Sequence, residues 1–379
     1  MLRDFLLVLV KKKKNDMLVN GTHCKTIWLE DDYTIQVIDQ RKLPFHFEVK
    51  SLKKVYDIYY SIREMVVRGA PLIGVAASFG MYLAALESRE RNHWYAAMEE
   101  AGTYLKSSRP TAINLAFAVD QQLETIKNAS SVEEAIQTAR ETALNLSENE
   151  TENCKNIGKH GMPLIRELAE QKKGNTINIL THCNAGWLAC IDYGTATAPI
   201  YLAHDEGINI HVWVDETRPR NQGTRLTAWE LGQHGVPHTV IPDNTGGLLM
   251  QKGMVDMVIT GSDRTAANGD VANKIGTYLK ALAAWDNSVP FYVALPLSSI
   301  DLNTQNGVRD IPIEQRNNEE IKYIEGFAEN AIKRVRIMPE DSNALNYGFD
   351  ITPAKYVTGL ITDKGICKPD EKEIKKLFR

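Results

Sequence analysis

Two hydrophobic periods divide the chain. Residues 17–49 carry short apolar runs, His23-Cys-Lys-Thr-Ile-Trp-Leu29 and Tyr33-Thr-Ile-Gln-Val-Ile38, on either side of the acidic turn Glu30-Asp31-Asp32, which predicts a β-hairpin. From Ser51 the spacing becomes helical. Ser51 is the expected N-cap of a helix over 52–67. Later helices are marked by apolar positions at Ala112, Ala116, Val119, Leu123 and Ile126, then at Val132, Ala135, Ala139, Ala143 and Leu146. Asn and Ser clusters near 128–131 and 147–153 are expected to separate these helices. Beyond Lys172-Lys-Gly-Asn175 the pattern changes again, to apolar runs at 177–180, 208–214, 238–241, 255–259 and 290–294 with helical stretches between them. Strands alternating with helices predict βαβ units and a parallel sheet. Near the end, Asp350-Ile-Thr-Pro353 offers a Thr cap and an N1 proline for a last helix, and 370–379 reads as a charged, solvated helix or as disordered. The expected fold class is therefore α/β: a helical N-terminal domain with a small β-hairpin segment at 17–172, then a parallel-sheet domain at 173–379.

A length of 379 residues, beyond the roughly 250–300 at which one core stops growing, agrees with two domains. The formal net charge of −4 provides no electrostatic reason to expect nucleic acid or an anionic membrane as partner. The one basic run, Lys11 to Lys14, follows the apolar Phe5-Leu-Leu-Val-Leu-Val10. That order is the reverse of a secretory signal, so residues 1–16 read as a disordered extension with Met17 the more natural beginning. The uncharged run 70–86 approaches spanning length, but Pro71, Gly74, Ser78 and Gly80 suit a tightly packed core helix. Five cysteines, an odd number without a Cys-x-x-Cys pair, argue against a disulfide framework and a zinc site and fit a reducing cytoplasm.

Candidate chemistry gathers at the strand ends. Thr181-His-Cys-Asn-Ala-Gly186 follows the first strand, Asp215-Glu-Thr-Arg-Pro219 and Asn221-Gln222-Gly223 the second, Asp243-Asn-Thr-Gly-Gly247 the third and Gly261-Ser-Asp263-Arg264 the fourth. Four polar, turn-forming ends at one sheet edge predict a shared crevice. A lone buried cysteine is ordinarily inert packing. Cys183, however, falls at a strand-to-helix turn, where the expected helix N-terminus favours thiolate. Cys190 reads as core, and His182 alternates to the opposite side of the strand, which disfavours a Cys–His nucleophile pair. Asp263 is a turn or cap aspartate, an ion pair with Arg264, or, in an apolar cleft, a protonated acid able to donate near neutral pH. Arg68-Gly69-Ala70, Arg109-Pro-Thr111 and Lys274 each sit at a helix start or glycine-rich turn suited to phosphate, although a surface charge is the ordinary reading of each alone. Neither G-x-G-x-x-G after a strand nor a Walker loop is present, which disfavours dinucleotides and nucleoside triphosphates.

Longer blocks carry a more specific resemblance. In the first half they are Val67-Arg-Gly-Ala-Pro-Leu-Ile-Gly74 and Arg109-Pro-Thr-Ala-Ile-Asn114. In the second they are Leu180-Thr-His-Cys-Asn-Ala-Gly186, Asp215-Glu-Thr-Arg-Pro219 with Gln222-Gly223, Leu226-Thr-Ala-Trp-Glu-Leu231, and Asp263-Arg264 with Ala267-Asn-Gly-Asp-Val-Ala-Asn-Lys-Ile-Gly-Thr277. Over 17–365 the chain resembles the S-methyl-5-thioribose-1-phosphate isomerases. The resemblance implies a fold similar to the regulatory subunits of translation initiation factor 2B, with a Rossmann-like C-terminal domain and usually a homodimer. It also implies an aldose-to-ketose isomerisation in methionine salvage that uses no metal or redox cofactor. Cys183 and Asp263 are then the catalytic pair, with substrate contacts from Arg68, Gly69, Ala70, Arg109, Gln222, Asn273 and Lys274. Phosphate esterifies the sugar's C1 oxygen, so the ring cannot open through a free hemiacetal. Asp263 is the expected acid at the ring oxygen and thiolate Cys183 the expected handler of the C2 proton; alternatively both groups act electrostatically on a C2-to-C1 hydride shift. The rivals are isomerases of 5-deoxyribose 1-phosphate or ribose 1,5-bisphosphate, which differ only at C5, and a non-catalytic translation-factor-like binding subunit.

Overall fold

The computed structural model of the chain describes residues 17–109 and 112–378. The expected extension 1–16 and the expected Pro110-Thr111 helix opening lie outside the described residues. The hairpin is present as β1 (Ile27–Asp31) and β2 (Thr34–Ile38), and β3 (Val49–Leu52) pairs antiparallel with the other edge of β2. Ser51 lies exposed within β3 and caps no helix. α1 (Val55–Arg63) instead starts where the Asp57 carboxylate accepts from Lys53 N and Lys54 N at 2.9 and 3.0 Å, pinning two backbone donors that a lone Ser cannot reach.

α2 (Ala70–Glu87), α3 (Trp94–Ser107), α4 (Ile113–Ile126) and α5 (Val132–Lys172) complete the helical half. α2 is long and apolar enough to cross a membrane, yet fifteen of its eighteen residues are buried inside the protein, against α4 and α5. Close packing explains its small residues: a Cβ at Gly74 would stand 3.0 Å from Asn114 O, and one at Gly80 2.9 Å from Leu105 Cδ1. α5 runs straight through 147–153, where a break was expected. Ser147, Glu150, Thr151 and Cys154 continue the buried stripe begun by Ala135, Ala139 and Ala143, and Thr151 Oγ1 donates to the Ser147 carbonyl at 3.0 Å. Burial on one face outweighs the weak local preference of these polar residues. α5 ends with Lys173 and Gly174 in left-handed conformations, φ 51° and 86°.

All five expected strands form: β4 (Ile177–Thr181), β5 (Ile210–Asp215), β6 (His238–Ile241), β7 (Met257–Thr260) and β8 (Phe291–Ala294), joined by β9 (Gly359–Thr362) and β10 (Gly365–Cys367). Their order is β10-β9-β8-β7-β4-β5-β6, parallel except for β10. α6 (Ala198–Asp205), α7 (Ala228–His234), α8 (Thr245–Gln251) and α9 (Thr277–Asp286) lie between them in the chain. Ile177, Ile179, Val212, Met257 and Ile259 enter a core shared with α5 and α6, while Leu180, Val258, Val293 and Leu360 enter one shared with α8 and α9. Burial on both faces is why these strands read as unbroken apolar runs. The chain steps outward through β4, β5 and β6, then returns beside β4 at β7 and steps the other way. The crevice beyond the carboxyl ends of β4 and β7 is thus the switch point of the sheet.

A four-stranded sheet follows β7, in the order Ile300–Asp301, Arg264–Ala266, Val271–Lys274, Phe349–Thr352. Asp350-Ile-Thr-Pro353 therefore ends a strand and enters a short 3-10 turn, Ala354–Tyr356, rather than starting a helix. Asp350 serves a different helix, accepting from Gly276 N (2.7 Å) and Tyr278 N (3.1 Å) at the start of α9. The charged tail forms the helix Glu371–Lys376, capped by Asp370 and anchored by buried Ile374. Asp270 holds the small sheet to its neighbours: its carboxylate accepts from Gly307 N (3.1 Å), Val308 N (3.3 Å), Ala354 N (2.9 Å) and Asn268 Nδ2 (2.7 Å). Asp270→Ala strands these donors, and the expected loss of about 3 kcal/mol is read as a lower urea midpoint at unchanged m-value.

Candidate active site

Cys183 stands just past β4 with its backbone left-handed, φ 68°. A non-glycine residue there is strained, and hydrogen bonds hold it: Cys183 N donates to Thr217 Oγ1 (2.8 Å) and its carbonyl accepts from Thr227 Oγ1 (2.7 Å). The α-helix expected to begin at this turn does not. A 3-10 turn, Trp187–Ala189, intervenes, and α6 starts only at Ala198. No helix N-terminus therefore follows the thiol at this turn. Burial pushes the thiol above its ordinary range, while the Arg68 guanidinium and the Lys274 ammonium pull it back. Sγ faces Gln222 Oε1 at 3.5 Å.

Asp263 leaves β7 and faces Cys183 across the switch point, in the same cavity wall as Arg68, Gly69, Ala70 and Asn273. It is half-buried and lines two adjoining cavities. Burial raises its carboxyl above the usual carboxylate range, opposed by Lys274, Arg68 and Arg109. Its backbone N–H donates to Ala272 O (2.9 Å), and among the described residues its carboxyl accepts no hydrogen bond. Arg264 turns away, paired with Asp301 and Thr304, which removes the Asp263–Arg264 ion pair. The cap reading goes too, because Asp263 is followed by a strand.

Cations and donors surround the pair. Arg68 is buried, its Nη1 donating to both the carbonyl (2.8 Å) and Oδ1 (2.6 Å) of Asn184. Gly69 is left-handed (φ 103°) and a Cβ there would lie 2.4 Å from Ala189 O, so only glycine lets this turn close on the 3-10 segment. Ala70 opens the eighteen-residue α2, whose N-terminus has no side-chain cap and whose first residues, with Gly69, line the cavity. Arg109 borders an adjoining cavity with Asp263, paired to Glu314 at 3.4 Å. Asn273 donates to Thr277 Oγ1 (3.0 Å). Lys274 is buried, donates to Gly348 O (2.9 Å) and lies over the Phe349 ring at 4.8 Å. Gln222 reaches the site through Cys183 and, with Arg68, lines a third cavity toward Arg41, Arg220 and Arg225.

Six of the nine expected residues line one cavity, Arg109 and Gln222 border the adjoining ones, and Lys274 acts on Cys183 and Asp263 through its charge. Several neighbours were not foreseen. Asn184, Thr217 and Thr227 belong to the quoted blocks, but only the fold shows what they hold. Glu230, in the Leu226–Leu231 block, is a buried carboxyl pushed up to about 7 by burial; it accepts from Leu188 N (3.2 Å) and Thr197 Oγ1 (3.4 Å). Gly186 is glycine because a Cβ would overlap Glu230 Oε1. Glu314 lies in a charged stretch without periodicity, and no pattern in the chain marks it.

Fold and site together define an α/β protein whose sheet switch point carries a buried thiol and a raised carboxyl beneath cations and a helix N-terminus. That arrangement suits proton transfer on an anionic substrate. Residues 66–369 match the initiation factor 2 subunit family. The methylthioribose-1-phosphate isomerase of Desulfatibacillum aliphaticivorans is 55% identical over 364 residues, covering 96% of this chain and 99% of that protein. The enzyme of the same name from Brucella anthropi is 54% identical over 365 residues, covering 96% and 99%. The crystal structure of 5-methylthioribose 1-phosphate isomerase from Pyrococcus horikoshii OT3 has a TM-score of 0.82 at 37% identity, over 96% of this chain and 97% of that one. That of translation initiation factor eIF-2B, subunit delta, from A. fulgidus has a TM-score of 0.77 at 36% identity, over 93% and 99%. The chain belongs to the methylthioribose-1-phosphate isomerases, within the initiation factor 2 subunit family.

Proposed function

We propose that the protein converts 5-methylthioribose 1-phosphate to 5-methylthioribulose 1-phosphate, the isomerisation step of methionine salvage. The observation that carries this reading is the meeting of Cys183 and Asp263 in one cavity with Arg68 and the α2 N-terminus, in a chain 55% identical to an isomerase of that name. Phosphate on C1 is held by cations and backbone N–H groups at Arg68, Gly69 and Ala70, with Arg109, Gln222, Asn273 and Lys274 completing the contacts. Neutral Asp263 gives its proton to the ring oxygen as the bond to C1 opens. The Cys183 thiolate takes the C2 proton, leaving an enol phosphate, and returns a proton to C1. The C2 hydroxyl proton leaves as the ketone forms and restores Asp263. Each group ends as it began.

In this reading residues 17–172 form the helical N-terminal domain and 173–379 the Rossmann-like catalytic domain, acting as a cytoplasmic homodimer without nucleic acid or membrane. The five free thiols suit a reducing compartment. Exposed Leu248, Leu279 and Trp285 offer a dimer apolar surface to cover. The purified protein is expected to turn over the methylthio sugar faster than 5-deoxyribose 1-phosphate, read as ketose formation. The discrimination is about 1–3 kcal/mol in kcat/KM, because only the C5 substituent differs. A preference for the deoxy sugar keeps the chemistry and changes the pathway. Silence with both, in folded protein, leaves a binding subunit as the answer.

A further inference from the structure

His182 precedes Cys183, yet the proposed chemistry gives it no part. Its side chain is fully buried (0% exposed). Nε2 lies 2.8 Å from the carbonyl oxygen of Ile275, and since a carbonyl only accepts, Nε2 carries hydrogen. Nδ1 lies 2.8 Å from Asp215 Oδ2 at the end of β5. The ring rests on Gly276, where a Cβ would stand 3.0 Å from Nε2 and where φ is 104°. Ile275 follows Lys274 just as His182 precedes Cys183. One imidazole thus joins the end of β4 in the large sheet to the end of Val271–Lys274 in the small one.

We propose that His182 is a positioning residue that sets the Cys183 thiol against the Lys274 ammonium by clasping the turn at Ile275-Gly276. The inference rests on Cys183 and Lys274 acting as proposed above. Spacing between these two groups matters chemically, because Lys274 is one of the two charges that offset the burial of the thiol. Both ring nitrogens are engaged, so the imidazole has none left for substrate. The charged groups around it are Asp215, Asp243, Asp350 and Lys280. His182, Asp215 and Asp243 are metal-ligating types with ligand atoms within 4.8 Å of one another. Lys280 supplies a cation beside them: its Nζ lies 3.1 Å from Asp215 Oδ2 and donates to the Asp243 carbonyl.

Two amide replacements divide the clasp. The Gln amide nitrogen reaches the place of Nε2 and keeps the link to Ile275; the Asn amide nitrogen reaches only the place of Nδ1 and loses it. The full-length protein is titrated by following iodoacetamide alkylation of Cys183 against pH, with its peptide quantified by mass spectrometry, beside steady-state kinetics on 5-methylthioribose 1-phosphate. Alkylation needs no substrate, so its outcome stands apart from the functional reading. His182→Asn is expected to move the alkylation midpoint up by about one pH unit and to lower kcat at least about tenfold with little change in KM. His182→Gln is expected to return both most of the way. Gly276→Ala crowds the ring from the far side and gives the same upward shift should His182→Asn not fold. A wild-type midpoint in His182→Asn or Gly276→Ala, or equal impairment of the Gln and Asn variants, overturns the proposal.

Discussion

Asp263→Asn leaves a folded protein that turns over at least about a hundredfold more slowly than wild type. The amide keeps the shape of the acid and cannot supply its proton to the ring oxygen. Burial places the folded-state pKa of Asp263 above its unfolded value. The fold therefore loses stability as pH rises from the unfolded pKa through the folded one, and the amide is free of that cost. Asp263→Asn is accordingly expected to match or exceed wild-type stability near neutral pH, which separates a chemical defect from a folding one. The pH–rate profile adds a second test. Wild-type activity falls as Asp263 loses its proton, and this descending limb disappears from the residual activity of the variant. Near-normal turnover, or an unchanged limb, removes Asp263 from the acid role.

Cys183→Ser is the second large effect, again at least about a hundredfold in kcat. The hydroxyl fits the same space and leaves in place the bond donated by the backbone N–H to Thr217 and the one the carbonyl accepts from Thr227. It ionises far less readily than a thiol, so the proposed base at C2 is lost. The ordinary values of the two groups, 9.0 for the thiol and 3.8 for the carboxyl, are both raised by burial. Arg68 and Lys274 lower both, so these two cations set how often thiolate and neutral acid occur together. Running the reaction in deuterated water locates the C2 hydrogen. Solvent deuterium at C1 of the product supports proton transfer through Cys183. Full retention of the original hydrogen, together with high activity in Cys183→Ser, assigns the step to a hydride shift.

The strands β4 to β8 were legible because burial on both faces leaves a local mark, an unbroken apolar run closed by polar turn residues. α2 and α4 were legible for the same kind of reason, and so were the chemical types at Arg68, Cys183 and Asp263. What the chain could not reveal depends on partners distant in sequence. α5 crosses a polar stretch because neighbouring elements bury Ser147, Glu150 and Thr151. Ser51 sits in a strand because β2 offers it an edge, and Asp350 caps α9 because the small sheet carries it there. The site divides in the same way. Residue identity supplied an acid, a thiol and three cations. The activation expected from a helix N-terminus beside Cys183 was wrong, because a 3-10 turn occupies that place. The balance acting on the thiol is instead burial against Arg68 and Lys274. Hydrophobic period is a property of neighbouring residues and survives in one dimension, whereas desolvation and Coulomb attraction are set by distances through space and exist only once the chain has folded.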